Sequence, residues 1–329
     1  MPAPDVLPGF ADVLDAAARI APHAHVTPVL RSRSLDEAAG AHLHFKAEHL
    51  QRVGAFKFRG ACNAVWSLAD EVAARGVATH SSGNHGAALA LAARVRGIPC
   101  HVVVPEGAVQ AKLAAIERAG AILHRCAPTI DAREAACARV QSDTGATVVH
   151  PYTDPRVIAG QGTAALELLT AHPDLDALVV PLGGGGLAAG TALAMQALAP
   201  GCRLYLAEPA GADDGARSFA RGMLDHAFTP DTVCDGLRGT LGAPNFALLQ
   251  AAGAEVLTVD DDATLAALRL VASHMKQLVE PSSAIVLAAV LAYRARFAGR
   301  KVGLVLSGGN LDLDALPALL PAATQGPPT

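Results

Sequence analysis

The stretch DALVVPLGGGGLAAG, Asp176–Gly190, decides the fold. ALVVPL is a short apolar run that reads as a buried strand. Gly183, Gly184, Gly185 and Gly186 follow at once, and LAAGTALAMQALAP continues as a helix. A strand that feeds a helix through a glycine loop is half of a crossover unit in a parallel sheet. The four glycines also point to chemistry. Without Cβ atoms the backbone can approach a ligand closely, and its N–H groups and the helix N-terminus together favour a phosphate. The spacing also fits a loose dinucleotide fingerprint, with Glu208 ending the next strand where a ribose-binding acid could sit. A nucleotide P-loop does not fit, because no Gly-Lys-Ser/Thr follows.

The same alternation runs through most of the chain. GVATH, IPCHVVVP, AILHRC and ATVVHP read as strands, separated by helices that end at Gly97, Gly120 and Gly145. A second series begins at Ala177, passes through RLYLAEP and AEVLTV, and closes with the helix around EPSSAIVLAAVLAYRARF and the strand KVGLVL. The expected fold is α/β with two parallel-sheet domains. PAATQGPPT at the end reads as a frayed tail.

Composition narrows the function. The chain has 329 residues, 51% of them hydrophobic, so it can bury a large core. Its 26 Lys+Arg against 30 Asp+Glu give a net charge of -4, with no footprint for nucleic acid or anionic membrane. No apolar run reaches the roughly 20 residues of a membrane span. MPAPDVLPGFADVLD lacks the basic start of a signal or transit peptide. The 6 cysteines are scattered without a Cys-x-x-Cys pair, which suits small buried hydrophobes in a reducing compartment. A soluble cytoplasmic protein is expected.

Two more strand ends resemble the glycine loop. Ser81-Ser82-Gly83-Asn84-His85-Gly86 offers hydroxyls, an amide and backbone N–H groups, although Ser and Asn also serve as ordinary helix caps. Ser307-Gly308-Gly309-Asn310 follows KVGLVL and by itself is only a turn. In open α/β sheets ligands bind outside the carboxyl ends of strands, so three such clusters suggest one small anionic ligand. In GAFKFRGA, Lys57 lies between Phe56 and Phe58, two of only 8 phenylalanines. It reads as a surface lysine, or as an amine desolvated among apolar groups to lower its pKa.

Together FKAEHLQRVGAFKFRGA, THSSGNHGAALA, VIAGQGTAALELL, PLGGGGLAAG, AEPAGADD, DGLRGTLG, EPSSA and LSGGN resemble the fold-type II enzymes that use pyridoxal 5′-phosphate. The resemblance is to the serine/threonine dehydratase and serine racemase family, and it covers nearly the whole chain. It implies a tryptophan synthase β-like fold with the cofactor in the cleft between two domains. Residues 1–74 and 151–329 would form the large cofactor-binding domain, and 75–150 a small mobile one. Lys57 would bind the cofactor aldehyde covalently, with Phe56 stacked near the ring and Asn84 on the ring 3′-oxygen. Gly183 to Gly186 and Leu187 would hold the phosphate, and Ser307 the pyridine nitrogen. The absence of an Asp there counts against transaminase chemistry, and the dinucleotide reading leaves Lys57 and Ser307 unexplained. Ser81, Ser82, Gly83 and His85 would receive the substrate, with Ser82 as a second base on the opposite ring face. Glu208 and Asp214, with the Ala212 carbonyl, match the family's divalent-cation site for Mg²⁺ or Ca²⁺.

The implied reaction is β-elimination from a β-hydroxy amino acid to a 2-oxo acid and ammonia, or racemisation on the same site. A homodimer is expected. Arg133 matches a residue that closes over dicarboxylates in racemase relatives, and it also reads as a helix-surface arginine. Relatives often carry Asn at Tyr152 and Lys-Ser at Arg238-Gly239. Arg133 and Arg238 would favour 3-hydroxyaspartate, Tyr152 an aromatic substrate such as 3-phenylserine; serine and threonine also stay open. A β-replacement enzyme of the cysteine-synthase type and a non-enzymatic small-molecule binder are the alternatives.

Overall fold

The computed structural model describes residues 7–107, 110–225, 227 and 229–320, so PAATQGPPT lies outside the described residues. The described strands fall into two sheets. The first runs in the order β1 (Val29–Leu30), β2 (His42–Ala47), β10 (Lys301–Leu306), β7 (Ala177–Pro181), β8 (Arg203–Pro209), β9 (Glu255–Val259). The second runs β5 (Ile122–Cys126), β4 (Cys100–Pro105), β3 (Val77–Thr79), β6 (Thr147–Val148). All pairings are parallel except β1 with β2, where Val29 faces Lys46. The fold is therefore α/β with two parallel-sheet domains, as expected.

Parallel strands are covered on both faces, which explains their near-continuous apolar runs. Leu178, Val179 and Val180 of β7 are fully buried, as are Leu304, Val305 and Leu306 of β10. Helix Pro281–Ala292 lies between neighbouring elements with Ala284 to Leu287 fully buried. Among the described residues no helix is long and apolar enough to cross a membrane. All six cysteines are free and buried.

The sequence reading places its first strand at Gly76 and so lacks β1 and β2. The alternating His42, His44 and Lys46 disguise β2 as a surface segment. Lys46 is nevertheless 1% exposed, because its Nζ donates to the Thr27 carbonyl at 2.7 Å and pairs with Glu167 at 2.5 Å.

This charged layer anchors the helix Lys57–Trp66. Arg59 is fully buried. Its Nε and one terminal nitrogen reach the two oxygens of Glu48 at 2.7 and 2.8 Å. Its terminal nitrogens also reach the two oxygens of Glu167 at 2.7 and 2.9 Å. Burial works against every charge here. For Glu48 burial is the largest single influence, but the Arg59 guanidinium, Lys46 and the Thr27 hydroxyl together offset it and hold the carboxyl below its usual range. One arginine therefore ties the first turn of this helix both to the end of β2 and to helix Pro155–Ala171.

Candidate active site

Five loops meet at the carboxyl ends of parallel strands. They follow β3 at Ser81, β6 at His150, β7 at Gly183, β8 at Ala210–Asp214, with Glu208 near the end of the strand itself, and β10 at Ser307. Lys57 joins them through a main-chain link rather than a strand. Phe56 N–H donates to the Ser307 carbonyl at 3.0 Å, and Gly309 N–H to the Gly54 carbonyl at 2.9 Å. This short bridge sets the first turn of the lysine helix beside the end of β10.

Lys57 is only partly exposed, and its Nζ donates to the Pro151 carbonyl at 2.9 Å. Burial pushes its pKa down to about 8, against the opposing charge of Glu280. About a tenth of the amine is therefore neutral and nucleophilic at pH 7, several hundredfold more than for an ordinary lysine of pKa 10.5. The two phenylalanines do not share this task. The Phe56 ring lies 5.1 Å from Nζ. Phe58, two residues on, is fully buried in an apolar cluster with Arg52 over its ring at 4.9 Å.

The Gly183–Gly186 loop is a cradle that side chains would fill. A Cβ on Gly184 would stand 2.4 Å from the Tyr152 ring, and one on Gly186 would stand 2.9 Å from the Tyr152 carbonyl. Gly185 has φ +89, where L side chains are strained, and it caps helix Gly186–Leu198. Asn245 fastens the loop by donating to the Tyr152 carbonyl at 3.0 Å and to the Gly184 carbonyl at 2.5 Å. A helix N-terminus behind close-packed glycines fits a phosphate. Leu187 is buried on that helix, 3% exposed.

Ser307 is buried, 3% exposed, and its hydroxyl lies 3.5 Å from the Ser282 carbonyl. It brings a neutral hydroxyl to the site in place of a carboxylate. Asn84 sits in a chain of hydrogen bonds pinned at both ends. Asn310 Nδ2 donates to the Val53 carbonyl at 2.7 Å and to Asn84 Oδ1 at 2.9 Å, and Asn84 Nδ2 donates to Glu280 at 3.1 Å. The Val53 carbonyl and the Glu280 carboxylate can only accept, so both amide orientations are fixed. Asn84 Nδ2 also lies 3.2 Å from the second Glu280 oxygen, so the carboxylate holds the amide from both of its oxygens. Glu280 and Asn310 lay within quoted motifs without a role. An acid that interrupts an apolar run directly before Pro-Ser-Ser is the signal in the sequence.

The other expected residues divide. Ser81, Ser82 and Gly83 are partly exposed before helix Asn84–Arg96, and a Cβ on Gly83 would meet open space. His85 is instead packed inward with Nε2 3.3 Å from the Val149 carbonyl, and burial holds it well below its usual pKa. It can serve a ligand at this turn through its backbone. Arg238 uses its guanidinium on the Thr232 carbonyl, at 2.5 Å from a terminal nitrogen and 3.2 Å from Nε. Arg133 lies on helix Ile130–Thr144, and its Nε is buried without a hydrogen-bond partner among the described residues.

Glu208 and Asp214 come together as two buried carboxyls, each 1% exposed. Glu208 accepts from Gly215 N–H and Ala216 N–H, both at 2.8 Å, and Asp214 accepts from Leu241 N–H at 2.7 Å. Burial and the nearby Asp214 charge push Glu208 up to about 8. Ala212 ends the turn that joins them. No group of three His, Cys, Asp or Glu side chains able to hold a metal occurs among the described residues. The third ligand in this expectation is a carbonyl.

An amine of lowered pKa, a glycine phosphate cradle, a pinned amide and a buried serine all fit pyridoxal phosphate. Residues 20–308 match the model of the pyridoxal-phosphate dependent enzyme family. The chain is similar to a β-hydroxyaspartate dehydratase of Paracoccus denitrificans, 47% identical over 94% of this chain and 99% of that one. It is similar to an L-threo-3-hydroxyaspartate ammonia-lyase of Saccharomyces cerevisiae, 43% identical over 98% of this chain and 99% of that one. Its structure resembles that of maize serine racemase with a TM-score of 0.92 and 43% identity, covering 94% of this chain and 96% of that one. With its fold, its lysine and its glycine loop, the chain belongs to the family of pyridoxal-phosphate dependent enzymes.

Proposed function

We propose that this enzyme is an ammonia-lyase that removes water from a β-hydroxy amino acid of the 3-hydroxyaspartate type, giving a 2-oxo acid and ammonia. The supporting observation is the pairing of Lys57, an amine of pKa about 8, with the neutral Ser307 hydroxyl. Bound pyridoxal phosphate supplies the sink for electrons released from the α-carbon. Ser307 does not keep the ring nitrogen protonated as an aspartate would, which favours prompt loss of a β-substituent. Gly183 to Gly186 and Leu187 hold the phosphate, Asn84 orients the ring oxygen, and Phe56 flanks the amine. The backbone N–H groups of Ser81 to His85 bind the α-carboxylate at the helix N-terminus. Lys57 Nζ takes the α-proton, steadied by the Pro151 carbonyl.

Arg133 supports the dicarboxylic substrate, since its buried Nε has no partner whereas Arg238 is bound to Thr232. The Tyr152 ring already covers Gly184, which argues against its lining an aromatic-substrate pocket. Racemisation is the second reading, favoured by the partly exposed Ser82 on the turn opposite. Glu208, Asp214 and the Ala212 carbonyl form the proposed Mg²⁺ or Ca²⁺ site, where a cation would relieve the repulsion between the two buried acids. Residues 75–150 form the proposed mobile unit, and the enzyme acts as a cytoplasmic homodimer in this reading.

The test is a panel of serine, threonine, 3-hydroxyaspartate and 3-phenylserine isomers, scored for 2-oxo acid, ammonia and enantiomers with and without Mg²⁺. The expected result is 2-oxo acid from 3-hydroxyaspartate, with the cofactor absorbance lost in Lys57→Ala. If no member yields 2-oxo acid, the ammonia-lyase reading is wrong.

A further inference from the structure

His150-Pro151-Tyr152-Thr153 leaves β6 and straps the two sheets together across the site. Pro151 holds Lys57, and Tyr152 covers the glycine loop. The first residue of the strap, His150, has no role in the scheme above. Its ring meets His80 edge-on at 5.3 Å and Tyr152 edge-on at 4.6 Å. Its Nδ1 accepts from Thr153 N–H at 3.1 Å and from Tyr152 N–H at 3.4 Å.

A ring nitrogen that accepts carries no proton, so the proton of the neutral imidazole sits on Nε2. Burial, together with His80 and Lys57, pushes the pKa of His150 down to about 4, so the ring stays neutral in the working range. Its lone pair is occupied by two backbone N–H groups, and losing the Nε2 proton would create an anion. His150 is thus neither a general base nor a general acid. What it offers is a fixed Nε2–H donor, and no described residue accepts from it. A donor that keeps its proton suits an oxyanion that keeps its charge throughout the reaction. A departing hydroxyl, by contrast, must be given a proton. His80, its ring neighbour, feels the charges of both Glu134 and Arg133, so the charged end of helix Ile130–Thr144 acts on this side of the strap.

We propose that His150 is a specificity-determining residue whose Nε2–H donates to the distal carboxylate of a dicarboxylic β-hydroxy amino acid. This rests on the ammonia-lyase reading for its substrate and on the strap geometry for its chemistry.

The experiment compares His150→Asn and His150→Gln in the holoenzyme. Asn keeps an acceptor where Nδ1 was but has no donor at the reach of Nε2, whereas Gln restores an N–H there. Malonate binding is measured by calorimetry, and kcat/KM is measured for 3-hydroxyaspartate and for serine. His150→Asn is expected to weaken malonate roughly 10- to 100-fold, the worth of a hydrogen bond to a charged group, with partial recovery in His150→Gln. The ratio of kcat/KM for 3-hydroxyaspartate to that for serine should fall by a similar factor. Unchanged malonate affinity, or equal losses on both substrates, overturns the proposal. If His150→Asn does not fold, ¹⁵N-histidine spectra of the wild type decide instead: the His150 Nε2 resonance must move with malonate and not with acetate. If the wild type turns over neither amino acid, the ammonia-lyase reading fails, while the malonate measurements still decide the role of His150.

Discussion

Replacing Arg59 by methionine tests whether the buried charge layer holds the lysine helix. In the wild type two cations, Lys46 and Arg59, face two anions, Glu48 and Glu167. Arg59→Met removes six hydrogen bonds that reach Glu48, Glu167, Thr163 and the His25 carbonyl. It leaves Glu48, which is fully buried, with one hydrogen bond from Thr27 at 2.5 Å and no bound cation. Breaking a buried ion pair from one side costs about 3–5 kcal/mol, because a charge is left uncompensated. At ~2–4 °C per kcal/mol for larger domains, the thermal midpoint should fall by roughly 6–20 °C. Arg59→Lys should recover only part of this, since an ammonium cannot face two carboxylates in one plane. The double variant Glu48→Gln/Arg59→Met restores charge balance around Lys46 and Glu167, so it should melt above the single variant. Thermal and urea melts measure all three. A single variant within about 1 kcal/mol of wild type, or a double variant no better than the single, would refute the assignment.

Lys57 must be unprotonated to take a proton, so kcat should rise with pH and level off above about 8. The Glu280 charge holds this amine up, so Glu280→Gln should move the acid limb to lower pH; a limb that stays or moves up refutes the electrostatics. Gly185→Ala places a Cβ 2.7 Å from Leu241 Cδ1 at φ +89, and cofactor affinity measured by equilibrium dialysis should fall at least tenfold. A Glu208 carboxyl raised to about 8 is protonated below that value, so protons compete with a cation there. Mg²⁺ should therefore raise the thermal midpoint more at pH 8.5 than at pH 6.5, and not at all in Glu208→Gln. Burial lowers the pKa of His85 and His101, so below the ordinary histidine value of 6.5 the unfolded chain binds more protons than the fold. The urea midpoint should accordingly drop as pH falls from 6.5 to 5.

Much of this protein is local enough to be determined by the sequence alone. Strand runs such as Leu178–Val180, glycine turns such as Gly183–Gly186 and a lysine beside Phe56 depend on neighbours a few residues away. The parallel α/β architecture and a phosphate-binding strand end are legible from them, and the cofactor follows from the family that the whole set of motifs resembles. Only the tertiary structure decided what depends on distant partners. Lys46 is buried beside Glu167, a partner 121 residues further on that the local alternation of β2 does not show. Phe56 faces the amine and Phe58 does not, because two residues turn the side chain about 200° around the helix and into the core. Arg238 was read as a substrate arginine, yet it is bound to the Thr232 carbonyl, and His150, overlooked, owes its fixed tautomer to the fold of its own strap. Periodicity and loop chemistry are written in short range, whereas the fate of a charge or a proton is set by which polar group the fold brings to it.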